Sequence, residues 1–160
     1  MRLVFWAGFW AFLSDQASKY LVVYMLNLRE VELIDVFPPF LRLHMAWNDG
    51  VNFGLFSNGS EAARWVLIVI ALLISGFVLI WVRLEPPGKG GLIAAGLLVG
   101  GAIGNVVDRL LYGAVADFLN MSCCGINNPY AFNLADVWIF AGAFGLIFLG
   151  GTKSSRDVGV

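Results

Sequence analysis

The chain has 160 residues, of which 59% are hydrophobic and 13% charged, with a mean hydropathy of +0.80. Soluble domains carry about a quarter charged residues, so this composition belongs to the membrane class, and the length fits one domain, residues 1–160. A net charge of −1 and a pI near 5.7 provide no basic field for a nucleic-acid partner.

Four apolar stretches follow in chain order, at about 3–26, 65–82, 92–111 and 132–150. Each approaches the ~20 residues a helix needs to cross a hydrocarbon core of ~30 Å. Backbone groups in lipid pair within their own segment, so four transmembrane helices are expected. The first stretch begins with Arg2 like a signal peptide, but it is too long and is interrupted by Asp15 and Lys19, so it reads as a retained span. Arg2, Arg83, Lys89, Lys153 and Arg156 would share one side, against Arg29, Arg42 and Arg64 on the other. That bias places both termini in the cytoplasm.

The insert at 27–63 is too long for a plain connector. "LRLHM" at 41–45 alternates as a half-buried strand does, and "VELIDVF" at 31–37 is rich in β-formers. A small extracytoplasmic sheet is expected there. "SNGSEAARW" further on resembles a helix start, with Ser60 as the cap. The 112–131 segment reads as a short connecting loop. The third span is rich in glycine (Gly91, Gly96, Gly100, Gly101, Gly104), which allows close helix packing. Gly113 after "RLLY" suits a helix C-terminus. Cys123 and Cys124, adjacent and the only two cysteines, fall short of a zinc site and read as small loop residues.

Ionisable residues inside membrane segments are rare and usually functional. Here they gather toward the outer end of the spans. Asp15 and Lys19 are four apart and share a helix face, Asn105 shares one with Asp108 and Arg109, and Asn133 shares one with Asp136. Each has a plain structural reading as a pair, an orienting group or a helix cap. His44, the only histidine, sits in an expected strand and leaves little room for a Ser-His-Asp mechanism. Asp117 and Asp136 differ, because no basic residue lies between positions 110 and 152. Two carboxylates close together in a low-dielectric site share a proton, one accepting from water while the other donates to a carbonyl oxygen. A proton relay in a transporter would use the same pair, although the second span carries no polar path to the other face.

"DQASK" at 15–19, "NDGVNFG" at 48–54, "GNVVDRLLYGAVADF" at 104–118 and "FNLAD" at 132–136 appear in that order. With these motifs the chain resembles the lipoprotein signal peptidase family, the bacterial signal peptidase II, over nearly its whole length. The resemblance implies an all-α membrane aspartic protease: four transmembrane helices, with a small extracytoplasmic β-sheet and short helix inserted between helices 1 and 2. It implies removal of the signal peptide from diacylglyceryl-modified prolipoproteins, with cleavage just before the lipidated cysteine and no metal or cofactor. By motif, Asp117 and Asp136 are the expected catalytic pair. Asn105, Asp108, Arg109 and Asn133 match the supporting residues, Asp15, Gln16 and Lys19 the first-helix motif, and Asn48 and Gly50 the outer-loop motif. Trp47, Phe53 and Phe56 are expected to shelter the site. The expected partners are the lipidated prolipoprotein and membrane lipid. A monomer in the bacterial inner membrane is expected, with the active site near the outer face.

Overall fold

Where the sequence runs apolar, the backbone closes its hydrogen bonds within the segment and forms long helices. The computed structural model describes residues 1–50, 61–123, 125 and 128–151. Helix α1 (Arg2–Lys19) passes directly into a π-helical stretch (Tyr20–Met25). A single turn, α2 (Leu28–Val31), leads to strands β1 (Leu33–Phe37) and β2 (Leu41–Asn48). Then come α3 (Glu61–Leu84), α4 (Lys89–Tyr112), strand β3 (Val115–Met121) and α5 (Leu134–Leu149). Helices α3 and α4 have the length and apolar composition to cross a membrane, and α5 is a shorter apolar helix.

Helix α4 lies at the centre, against α1, α3 and α5, and glycine makes that possible. A Cβ on Gly96 would lie 2.5 Å from the Val4 carbonyl oxygen of α1, and one on Gly101 would lie 2.5 Å from the Ala135 carbonyl oxygen of α5. At Gly142 of α5 it would meet the Leu98 backbone nitrogen of α4 at 2.5 Å. Backbones meet here without side chains between them, as the glycine-rich third stretch suggests. Val4, Val78, Val82, Ala95 and Leu98 fill the space between helices at one end. The outward faces stay apolar: Phe5, Trp10, Leu73, Phe77, Ile147 and Phe148 are all exposed. Exposed apolar surface on this scale suits lipid as the surrounding solvent.

The sheet is antiparallel in the order β1-β2-β3. Ile34 pairs with Leu43, Leu43 with Leu119, Ala46 with Asp117 and Asn48 with Val115. Its inner face closes over Val22, Val23 and Leu28, with Leu43, Ala116 and Phe118 from the strands. One expectation needs correction. The 112–131 segment is not a plain loop, because it supplies the third strand, which carries Asp117. Residues 115–118 and Asn120 are all buried, so β3 lacks the alternation of a half-exposed strand. The expected short helix of the insert is α2, and the helix start expected at "SNGSEAARW" is that of α3, which begins at Glu61. Ser60, Phe53, Phe56 and Cys124 lie outside the described residues.

Candidate active site

The start of α5 organises the polar residues. The first turn of a helix leaves backbone N–H groups without partners. Asn133 is the N-cap: its Oδ1 accepts from the Asp136 N–H at 2.9 Å, and Asp136 Oδ2 accepts from the Asn133 N–H at 3.3 Å. This reciprocal pair is a capping box. Between them, the Ala135 N–H donates to Asp15 Oδ1 on α1 at 2.9 Å. Two carboxylates therefore serve the positive end of the helix, where negative charge is favoured.

Asn133 also reaches the sheet. Its Nδ2 donates to Asp117 Oδ1 at 2.6 Å and to Asn105 Oδ1 at 3.2 Å. Asn105, on α4, donates to Asp136 Oδ1 at 2.9 Å. Asn48, at the end of β2, donates to Asp117 Oδ2 at 3.0 Å. Each oxygen of Asp117 and of Asp136 thus accepts an N–H, and Asn133 binds both residues. Asp117 is 3% exposed. Burial, reinforced by the charge of Asp136, pushes its pKa up to about 6 against the opposing hydrogen bonds from Asn48 and Asn133 and the charge of Lys19.

Beneath this pair lies an ion cluster. Lys19 Nζ sits 2.8 Å from Asp15 Oδ2 and 2.7 Å from Asp108 Oδ2, and all three side chains are nearly inaccessible. Gln16 Nε2 donates to Asp15 at 3.0 Å and to Asp108 at 3.1 Å, and the Ala116 N–H donates to Asp108 Oδ2 at 3.2 Å. Asp108 therefore holds β3 to the end of α4 and α1. A Cβ on Gly104 would lie 2.6 Å from Asp15 Oδ2, so glycine there leaves room for the carboxylate. Arg109 Nη1 donates to the Asn105 carbonyl at 3.2 Å, and its charge faces Asp136, Asp117 and Asp108.

The residues singled out from sequence come together: Asp15, Gln16, Lys19, Asn48, Asn105, Asp108, Arg109, Asp117, Asn133 and Asp136 form one connected set with Gly50 beside it. Gly50 donates its N–H to Asn48 Oδ1 at 3.1 Å and has φ +111, a conformation favouring glycine. The Asp15–Lys19 pair extends to Asp108, and Asn133 is the helix cap. The absence of basic residues between positions 110 and 152 does not leave the two aspartates without cations, since Lys19 and Arg109 approach from other helices. His44 is on the exposed side of β2. Trp47 packs against Tyr112 with ring centroids 5.8 Å apart. Sequence reasoning missed Asn120. It is buried, and its Nδ2 donates to the carbonyls of Asn128 and Tyr130, holding the segment before α5 against β3. The sequence offers no signal for it, because the segment that becomes β3 reads there as a connecting loop. Among the described residues, no three His, Cys, Asp or Glu side chains form a metal-binding group.

The family model described as Signal peptidase (SPase) II matches residues 8–150. The chain belongs to the signal peptidase II family. Its relatives include lipoprotein signal peptidases from Methylobacterium sp. (strain 4-46), 38% identical over 83% of this chain and 79% of that one, and from Rhodopseudomonas palustris, 36% identical over 92% and 91%. A third, from Alteromonas mediterranea, is 37% identical over 96% and 85%. Two solved structures of a bacterial membrane enzyme, both obtained by the in meso method, share the fold at 24% identity. Their TM-scores are 0.76 and 0.77, covering 98% and 91% of this signal peptidase II chain and 93% and 90% of theirs.

Proposed function

We propose that this protein is a lipoprotein signal peptidase of aspartic type, removing signal peptides from diacylglyceryl-modified prolipoproteins before the lipidated cysteine. Asp117 and Asp136 act as the catalytic pair. The observation that carries this reading is their common partner: Asn133 donates its side-chain amide to Asp117 and its backbone N–H to Asp136. Two carboxylates held on one residue, at least one of them with a raised pKa, suit a dyad sharing a proton. A water between them loses a proton to one carboxylate as its oxygen attacks the scissile carbonyl, while the other protonates the developing oxyanion. Collapse of the tetrahedral intermediate breaks the C–N bond as the first carboxylate passes the water's proton to the leaving amine and a hydroxyl proton returns to the second carboxylate, restoring the singly protonated pair.

The remaining polar residues set this pair in place. Asn105 and Asn133 orient the carboxylates, and Arg109 supplies positive charge beside them. The ion cluster of Asp15, Lys19 and Asp108 fixes α1, α4 and β3 beneath. An apolar groove of about 360 Å³ runs between α3, α4 and α5, lined by Leu67, Ile70, Ile74, Ala102 and Ile139, with Asn105 and Arg109 at its end. An acyl chain lying in it would hold the cleavage site at a fixed depth, each buried CH₂ contributing about 0.8 kcal/mol. We read the protein as one membrane domain with four spans: α1 with its π-helical extension, α3, α4 and α5. Both termini are then cytoplasmic and the dyad lies near the outer face of the inner membrane. It acts as a monomer.

The test is cleavage by purified protein in detergent, read by gel shift, on a lipidated precursor and its unlipidated form. Asp117→Asn and Asp136→Asn are each expected to lose at least ~100-fold in rate, the scale of general acid–base catalysis. Near-normal turnover in either variant, or equal cleavage of the unlipidated precursor, overturns the reading.

A further inference from the structure

Asn48 stands apart from the other polar residues of the site. Among the described residues its side chain is the one partner of Asp117 that comes from the exposed surface, and both ends of its amide are engaged. Nδ2 donates to Asp117 Oδ2 at 3.0 Å, and Oδ1 accepts from the Gly50 N–H at 3.1 Å. Gly50 is fixed in turn: its φ is +111, and a Cβ there would lie 2.6 Å from Leu67 Cδ1 of α3. One amide therefore ties the turn after β2, packed on α3, to a buried carboxylate on β3. The second bond also orients the first, because accepting from Gly50 fixes which end of the amide faces Asp117.

We propose that Asn48 is a positioning residue for the reaction, its amide N–H fixing the orientation and the proton affinity of Asp117. This deepens the dyad reading above and rests on it. Among the described residues, the charged groups facing Asp117 are Asp136 from α5, Lys19 from α1 and Arg109 from α4, with the uncharged Asn48 from β2 and Asn133 from the cap of α5. An N–H donor favours the ionised carboxylate, so loss of the Asn48 donor makes Asp117 hold its proton to higher pH. A dyad that works with one proton loses activity when that proton leaves, which produces the alkaline limb of kcat/KM against pH. The sign follows: removing the donor moves this limb upward.

Asn48→Asp separates the proposed role from a purely structural one. Aspartate forms the same kind of turn, keeping an oxygen for the Gly50 N–H. It replaces the donor to Asp117 with a second carboxylate oxygen. Full-length wild type, Asn48→Asp, Asn48→Ala and Asp117→Asn are assayed on a lipidated precursor from about pH 5 to about pH 9, with a thermal melt of each. Asn48→Ala is expected to raise the alkaline limb by about one unit and lower the plateau. Asn48→Asp is expected to raise it at least as far, with an ordinary melt and roughly tenfold lower kcat/KM at neutral pH. If Asn48→Asp unfolds, the Asn48→Ala profile carries the test. Wild-type behaviour of Asn48→Asp, or a drop in rate with the limb unmoved in the folded variants, overturns the proposal. An active Asp117→Asn overturns the dyad beneath it. An inactive Asp117→Asn with unmoved limbs overturns the role of Asn48 alone.

Discussion

Replacing Lys19 by methionine removes one charge and leaves most of the side-chain volume. The ammonium group lies 2.8 Å from Asp15 and 2.7 Å from Asp108, with side-chain exposures of 7%, 0% and 1%. At an effective dielectric of about 20, each contact is worth roughly 6 kcal/mol of attraction. Desolvating the three ions costs several kcal/mol apiece and cancels much of that. What matters in the variant is the state left behind: two carboxylates buried together with no ammonium. Breaking a buried pair by removing one partner costs ~3–5 kcal/mol, and one cation serving two anions points to the upper end. Against a total stability of ~5–15 kcal/mol, the variant folds only marginally. Reversible unfolding in mixed micelles, followed by tryptophan fluorescence, measures the loss. The triple variant Asp15→Asn/Lys19→Met/Asp108→Asn leaves no buried charge in the cluster and is expected to recover about half of it. A loss below ~1 kcal/mol for Lys19→Met, the worth of a surface pair, would refute the argument.

Other perturbations probe the same frame. Asp108→Asn keeps an acceptor oxygen for Gln16 or Ala116 but weakens the bond to Lys19, so stability should fall by ~1–3 kcal/mol with a graded loss of activity. Complete inactivity with an unchanged melt would contradict that supporting role. Gly101→Val should destabilise by ~1–3 kcal/mol and slow cleavage, because its Cβ would displace the first turn of α5 that holds Asp136. The melt and the gel shift are read together, and an unaffected rate in a folded variant would count against that close approach. Asp117 predicts a pH effect on stability. Its folded pKa of about 6 exceeds the unperturbed 3.8, so folding binds its proton more tightly. That contribution, up to ~3 kcal/mol, is full below the unfolded value and is lost as pH rises through about 6. Melts of wild type should therefore fall across this window relative to Asp117→Asn, and parallel curves would refute the shift.

The helices and much of the polar cluster were legible because their signals are local. Long apolar runs set α3 and most of α4, and spacings of three and four residues put Asp15 with Lys19 and Asn133 with Asp136. Strand β3 was not legible, since burial on both faces erases the alternation that marks strands such as β2. Nor does a single turn such as α2 offer a period to read. The contacts that assemble the site are long-range: Asp15 meets the Ala135 N–H across 120 positions, and Asn48 meets Asp117 across 69. Nothing near Asp117 in sequence announces Lys19 or Arg109, because helix packing, not chain order, brings those cations to it. The glycines of α4 indicated that helices approach closely, while their actual neighbours, α1 and α5, follow only from the assembled bundle.

The capping box at the start of α5 has a further consequence. If Asp136 takes up a proton during the proposed reaction, it becomes a poorer acceptor for the Asn133 N–H while Asn133 is still engaged with Asp117. Each turnover would then briefly loosen the helix start that aims the catalytic groups and restore it when the proton departs. Chemistry and local unwinding would share the same few atoms, so a mutation there that speeds the reaction should also leave its trace in amide hydrogen exchange at residues 133–136.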